Sequence, residues 1–294
     1  MATIGTLDKE DSTTIVQALI HQLMTGDVIL AVALVSLVTA PLLRLARPPV
    51  RRYSRFAWQI GVLLALEQAY EFTRGLFVYN KDIGDIADLN AYRLLDLEWS
   101  HGLFIEQRLE HFFLQFGTIM DAIDIFYIVG HVGVTIGILV WLYFRRPQVF
   151  PYVRNLLMLT TAIALIVFYV YPTTPPRMLF QYGFEDPLQL HHLTAAGGAQ
   201  PGSYTYNPYA AMPSLHVAYA ICVAIGFFLA ERRGWRFFAP AYPVAMAATV
   251  LISGNHWLLD VVGAVVTVGV AAGVLALWSR SMNWVRRSQG TVPA

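Results

Sequence analysis

The sequence predicts an all-α, polytopic membrane helix bundle of six or seven spans, with amphipathic helices lying at the interface. Three observations carry that prediction. Apolar residues make up 56% of the 294 and charged residues only 13%, against roughly 45–50% and 25% in soluble domains, too few charges to cover a water-facing protein of this size. Runs of about 20 mostly apolar residues, the length that crosses a hydrocarbon core, recur along the chain between charges, prolines and glycines. The arginines gather in alternate loops, as expected of a chain that crosses repeatedly with its basic loops in the cytoplasm. The formal charge of +1 supplies no basic field, which excludes nucleic acid as a partner. Cys222 is the single cysteine, so an intramolecular disulfide and a Cys-built metal site are excluded too.

Residues 1–26 open with Asp8, Lys9, Glu10 and Asp11, not with a basic stretch before an apolar core, so they do not read as a signal peptide. Ile15, Leu19, Ile20 and Leu23 share helical spacing and suit a helix lying on the membrane. Spans are predicted at 27–46, 56–79, 121–144, 153–171, 213–230, 237–252 and 256–278. Only Ser253-Gly-Asn255 separates the last two, hence six or seven. Arg44 to Arg55, Arg145 to Arg154, Arg232 to Arg236 and Arg280 to Arg287 mark the cytoplasmic segments. Segments 80–120, 172–212 and 253–255 then face outward, at the extracytoplasmic side of a cell membrane. In 80–120, apolar Leu94, Leu95, Leu103, Phe104, Leu109 and Phe112 alternate with Arg93, Asp96, Glu98, Glu106, Arg108 and Glu110, which suits interfacial helices over the outer mouth of the bundle. With no fixed-period repeat and no low-complexity linker, a division into an N-terminal segment (1–26), accessory spans and outer loop (27–120), a chemistry-bearing helical core (121–278) and a basic cytoplasmic tail (279–294) is expected.

Three short segments fall at that outer face. Tyr171-Pro-Thr-Thr-Pro-Pro-Arg177 follows the fourth span, and its prolines hold an extended backbone that fixes Arg177 near the interface; a snorkelling arginine is the plainer alternative. Met212-Pro-Ser-Leu-His216 opens the fifth span, with Ser214 suited to cap the helix and His216 in its first turn, where unpaired N–H groups and the dipole favour an anion. Ser253-Gly-Asn255-His256-Trp-Leu-Leu-Asp260 sets His256 and Asp260 four apart, on one face of a helix and able to hydrogen-bond, so that the carboxylate fixes the imidazole tautomer. A structural pair between helices is the competing reading. Together the segments suit phosphoryl transfer. Arg177 and helix termini neutralise phosphate oxygens, His256 backed by Asp260 attacks phosphorus, and His216 protonates the leaving oxygen. No acidic cluster for Mg²⁺ accompanies them, so the expected scheme uses no metal and no cofactor.

The order Pro-Pro-Arg177, Pro-Ser-Leu-His216, His256-Trp-Leu-Leu-Asp260 resembles the type 2 phosphatidic acid phosphatase superfamily over about residues 121–278. Within it, Pro-Thr-Thr-Pro-Pro-Arg177, Met212-Pro-Ser-Leu-His216 and Asn255-His-Trp-Leu-Leu-Asp260 resemble the inositol phosphorylceramide synthase-like branch, and Asn207-Pro-Tyr-Ala-Ala-Met-Pro-Ser-Leu-His216 is similar to actinobacterial members. The resemblance implies a phospho-histidine on His256, His216 as general acid, Asp260 as orienter, and Arg177 and Ser214 on the phosphate. Asn255 is a further phosphate-binding candidate, because its amide can replace a missing cation. The sequence departs from the phosphatase pattern: Val170 stands where a Lys is expected, Met178 where a Pro is, and Thr249 and Val250 where Ser-Arg is. With one dedicated arginine the site matches a singly charged phosphodiester better than a monoester. The implied activity is a lipid phosphotransferase that moves a phosphoryl or inositol phosphate-like group between lipids, with a lipid phosphomonoester or pyrophosphate phosphatase as the alternative.

Other polar residues lie within the predicted spans. Glu67, Glu71 and Arg74 share a face of the second, and Tyr127 and His131 sit one turn apart in the third. Each set can hold a polar headgroup or simply satisfy itself between helices. The same charges would line the pathway of a non-enzymatic lipid transporter, a reading that leaves the three outer segments unexplained. His191 and His192 lack the further ligands a zinc site needs.

Overall fold

The computed structural model describes residues 26–45, 53–65, 83–185, 207–231 and 234–288. The segment before residue 26, Glu67, Glu71, Arg74, His191 and His192 lie outside the described residues. The chain divides into two compact units, Met1–Tyr79 with Leu188–Asn207, and Asn80–Pro187 with Pro208–Ala294.

In the first unit, α1 (Gly26–Arg44) pairs with α2 (53–65). The Ser54 hydroxyl donates to the Ala40 carbonyl at 2.6 Å. A Cβ on Gly61 would fall 2.7 Å from the Leu37 side chain, so the glycine permits the two backbones to approach. Leu34, Val35, Val38 and Leu42 stay exposed.

The second unit is entirely helical among its described residues apart from one bridge between Thr173 and Ala210. Its elements are α3 (Ile83–Ser100), α4 (Glu106–Leu114), α5 (Gly117–Ile125), α6 (His131–Arg145), α7 (Phe150–Val170), α8 (Leu215–Ala230), α9 (Ala241–Ile252) and α10 (Leu258–Ser288). A π-helical turn, Phe126–Gly130, joins α5 to α6 without a break. Such turns inside α-helices are frequent at functional sites. The described part of the outer segment, residues 83–120, falls in the same unit as residues 121–185.

Helix α8 is central and packs against α6, α7, α9 and α10. Its sequence explains the position, because Ala218, Ala220, Cys222, Ala224 and Gly226 are all buried, and small residues let backbones close on one another where lipid offers no hydrophobic drive. Large apolar side chains point outward instead, with Val262, Val265, Val266 and Val270 forming an exposed stripe on α10. Phe150–Val170, Gly234–Ile252 and Leu258–Ser281 are long and apolar enough to cross a membrane, and Leu30–Arg44, His131–Arg145 and Leu215–Ala230 are shorter apolar helices. The architecture is that of a helical membrane bundle, as the composition predicts.

Gly226 is a point of close helix approach in the core. A Cβ there would lie 2.7 Å from Val153 Cγ2 on α7 and 3.0 Å from Leu142 Cδ1 on α6. Gly226→Val is expected to lower the thermal midpoint of the detergent-solubilised protein, by overpacking worth about 1–3 kcal/mol. Gly273→Val, at a position with no atom near its added Cβ, is expected to leave the midpoint unchanged.

Candidate active site

The site is built where three chain segments meet the first turn of α10. The turn Ser253-Gly-Asn255 hangs from the end of α9, with Asn255 and His256 N–H both directed at the Val250 carbonyl. Gly254 takes φ +61°, a left-handed conformation that glycine adopts without penalty. The Arg177 N–H donates to the Gly254 carbonyl at 2.8 Å, and Arg177 Nε donates to Asn255 Oδ1 at 2.9 Å. Asn255 Nδ2 in turn donates to Ser253 Oγ at 2.8 Å. Asn255 is thus a strut for the guanidinium. The extended run that leads to Arg177 ends at Pro175, and Pro176 starts a single 3₁₀ turn.

His256 stands before the helix, one residue ahead of its N-cap Trp257. The four-residue spacing to Asp260 therefore works through a capping turn, not along one helix face. Asp260 Oδ2 accepts from Trp257 N–H at 2.9 Å and meets His256 Nδ1 at 3.2 Å. That is half of a capping box, in which an acidic residue in the first turn reaches back to the N-cap N–H. His256 Nδ1 also lies 2.8 Å from the Ala211 carbonyl. A carbonyl can only accept, so Nδ1 carries the proton and Nε2 carries the lone pair.

His216 sits in the first turn of α8, capped by Ser214, whose Oγ accepts from Val217 N–H at 3.4 Å. The Ser214 N–H donates to the Asp260 carbonyl at 3.1 Å, which ties the starts of α8 and α10 together. The His216 ring lies 6.0 Å from that of His256, centroid to centroid. On its other side Tyr127 stacks at 4.2 Å and His131 lies at 4.7 Å. Both come from the π turn and the residue after it. Their proximity to His216 brings two headgroup candidates to the same place as the histidine pair.

A family model described as the PAP2 superfamily matches residues 92–274. The chain belongs to the PAP2 superfamily. No curated protein and no solved structure matches it. Membership makes this PAP2 protein a membrane protein of a group of phosphatases and phosphotransferases that act on lipid phosphates.

Three residues that the sequence placed on the polar side of the outer loop lie fully buried in this PAP2 protein: Glu98, Glu106 and Glu110. Glu106 Oε1 accepts from Leu258 N–H at 2.6 Å, and Glu98 Oε1 accepts from Leu259 N–H at 2.8 Å. With Asp260 on Trp257, three carboxylates take three consecutive N–H groups of one helix start. Glu110 Oε2 accepts from Glu185 N–H at 3.2 Å. The available signal was positional, since Glu98 follows Leu94 by one helical turn and so falls on the buried face of α3. Asp124, buried one turn before Tyr127, was likewise passed over. Where the phosphatase pattern carries extra polar and basic groups, Val250 is buried in the apolar core and the Thr249 hydroxyl bonds back to the Ala245 carbonyl.

A Cβ on Gly254 would lie 2.8 Å from Glu110 Oε1 and 3.3 Å from Arg177 Cβ. Gly254→Ala is therefore expected to cut turnover about tenfold or more, since a left-handed alanine costs about 1–2 kcal/mol and its methyl group displaces the arginine. Turnover of a labelled lipid phosphate by the purified variant, with its melting temperature, checks this.

Proposed function

We propose that this protein is an integral-membrane lipid phosphotransferase, similar to the inositol phosphorylceramide synthase-like branch, that exchanges the alcohol on a lipid phosphodiester at the extracytoplasmic face. The observation that carries the reading is the doubly accepted Nδ1 of His256, which turns the basic Nε2 outward as a nucleophile. Nε2 attacks phosphorus and forms a P–N bond. The P–O bond to the first alcohol breaks, and imidazolium His216 gives its proton to the leaving oxygen. The acceptor alcohol then attacks the phospho-histidine, its proton passes to His216, and the P–N bond breaks. Arg177 holds the phosphate oxygens, Asn255 acts through Arg177, and Ser214 has a hydroxyl proton to give. Tyr127 and His131, beside His216, contact the headgroup, which is inositol-like.

Charge supports a diester. A phosphomonoester carries about 1.5 to 2 negative charges at neutral pH, a diester one. Arg177 is the arginine of the site, and the buried acidic side chains of Glu106, Glu110 and Asp260 lie beside the same turn, an environment adverse to a dianion. The arginine-rich loops between spans support the outward placement.

The test is incubation of purified protein with a phosphodiester lipid labelled at phosphorus, with and without inositol and a second lipid alcohol. Label is expected on the second alcohol; release as inorganic phosphate alone would instead make the protein a phosphatase. An acid-labile, base-stable phosphoprotein is expected in the wild type and not in His256→Ala. Turnover should fall by about 10²–10⁴ in His216→Ala. A folded variant of either histidine with wild-type turnover would overturn the mechanism.

A further inference from the structure

The buried glutamates of α3 and α4 are not explained by phosphate chemistry, since they add negative charge beside a site for anions. Their hydrogen bonds give them another role. Leu258 and Leu259 supply the first and second N–H groups of α10, and these have no partner within their own helix. Glu106 takes one and Glu98 the other, so residues more than 150 positions earlier in the chain hold the turn that lies between His256 and Asp260.

The two carboxyls cannot both be charged at ease. Both are fully buried and bond to adjacent N–H groups. Glu98 Oε2 is buried with no donor in reach while both groups are ionised. A single proton on that oxygen removes the problem, because the resulting O–H donates to the Glu106 carboxylate. We propose that Glu98, sharing one proton with Glu106, is a positioning residue for the nucleophile: the pair clamps the first turn of α10 and thereby holds the His256–Asp260 couple. Glu98 touches no reacting atom and acts through the backbone.

Burial first, then the Glu106 charge and hydrogen bond, and the more distant Asp260, push the Glu98 carboxyl up to about 9, against the Leu259 N–H, which favours the ionised form. The charged groups that act on it are thus Glu106 on α4 and Asp260 on α10. In the unfolded chain the same group ionises near 4.5. Between those values the folded protein retains a proton that the unfolded chain has lost, so this group makes stability fall as pH rises from about 4.5 to about 9 and adds no further slope above that. Ionisation of Glu98 beside Glu106 also places two like charges on the clamp.

Positioning of His256 has meaning for catalysis only on the phosphotransferase reading, so the test has one arm that depends on turnover and one that does not. Glu98→Gln keeps the Leu259 bond through its amide oxygen and donates to Glu106 through its amide N–H, which imitates the protonated acid. Thermal midpoints of wild type and Glu98→Gln are compared from pH 5 to 10 in detergent. The variant is expected to gain on the wild type steadily up to about pH 9 and to hold a constant lead above it. A difference that does not change with pH would overturn the shared proton. In turnover of the labelled phosphodiester, kcat of the wild type is expected to fall relative to that of Glu98→Gln as pH rises through about 9, on top of the alkaline fall that both share through the His216 proton. Glu98→Ala, which loses the Leu259 bond, should lose at least tenfold in kcat with KM changed less than twofold. A ratio of wild-type to Glu98→Gln kcat that stays constant through about pH 9, or full kcat in Glu98→Ala, would overturn the positioning role. Absence of wild-type turnover of the labelled phosphodiester would strike the parent reading alone and leave the stability arm standing.

Discussion

A helix that begins inside a protein has to find acceptors for N–H groups that its own backbone cannot satisfy, and in this chain that requirement organises the site. The start of α10 meets it with three carboxylates on successive residues, Asp260 on Trp257, Glu106 on Leu258 and Glu98 on Leu259. Two of them are brought by α3 and α4, which explains why amphipathic helices from the outer loop are folded into the unit instead of resting loosely on it. Trp257 secures the same junction, with its indole N–H on the Thr174 carbonyl at 3.0 Å and its ring among Phe104 and Phe184. Asn90 on α3 donates to the Pro172 carbonyl at 2.8 Å, so the segment that ends in Arg177 is fixed by the same helix. One helix start thus couples all three sequence motifs to the preceding loop.

This has a consequence for anion recognition. The start of a helix is ordinarily a ready anion site, and both α8 and α10 begin here. The N–H groups at the start of α10 are already engaged by carboxylates, which also oppose the positive end of its dipole. For the proposed reaction, phosphate recognition then falls to Arg177 and the start of α8. His256 stands between, on the residue just before the capped turn, where it approaches a phosphate held by those groups without belonging to either helix.

Much of this was legible in the sequence, for identifiable reasons. Composition and the length of apolar runs settle a helical membrane bundle because lipid forces backbone groups to pair within a helix. The motifs around Arg177, His216 and His256 are local, and their turn chemistry reads from a few adjacent residues: Ser214 as a cap, proline before the arginine, Gly254 in the turn. In the sequence Glu98 and Glu106 look like polar residues of interfacial helices, because helical periodicity reports which residues share a side, not what covers that side. Their partners are backbone N–H groups far along the chain, which carry no side-chain signature at all. The π turn was invisible for a similar reason, since Phe126 to Gly130 looks like any apolar span.

That turn bears on why the two histidines are restrained differently. His256 is fixed through a ring nitrogen, by a carbonyl and a carboxylate that commit Nδ1 as a donor; in the proposed reaction this leaves Nε2 as the attacking atom. His216 is held against ring faces, by Tyr127 in parallel stacking and His131 at an angle. Stacking restrains the plane of an imidazole, which suits the group that, in the proposed reaction, gives a proton in one half and takes one in the other. The stacking partners come from the π turn and the first residue of α6, so the ring packing on His216 comes from the α5–α6 helix, whereas Asp260 at the start of α10 meets His256. The two histidines thus differ in what packs on them, and the Ser214 N–H to Asp260 carbonyl bond and the His256 Nδ1 to Ala211 carbonyl contact join the starts of α8 and α10.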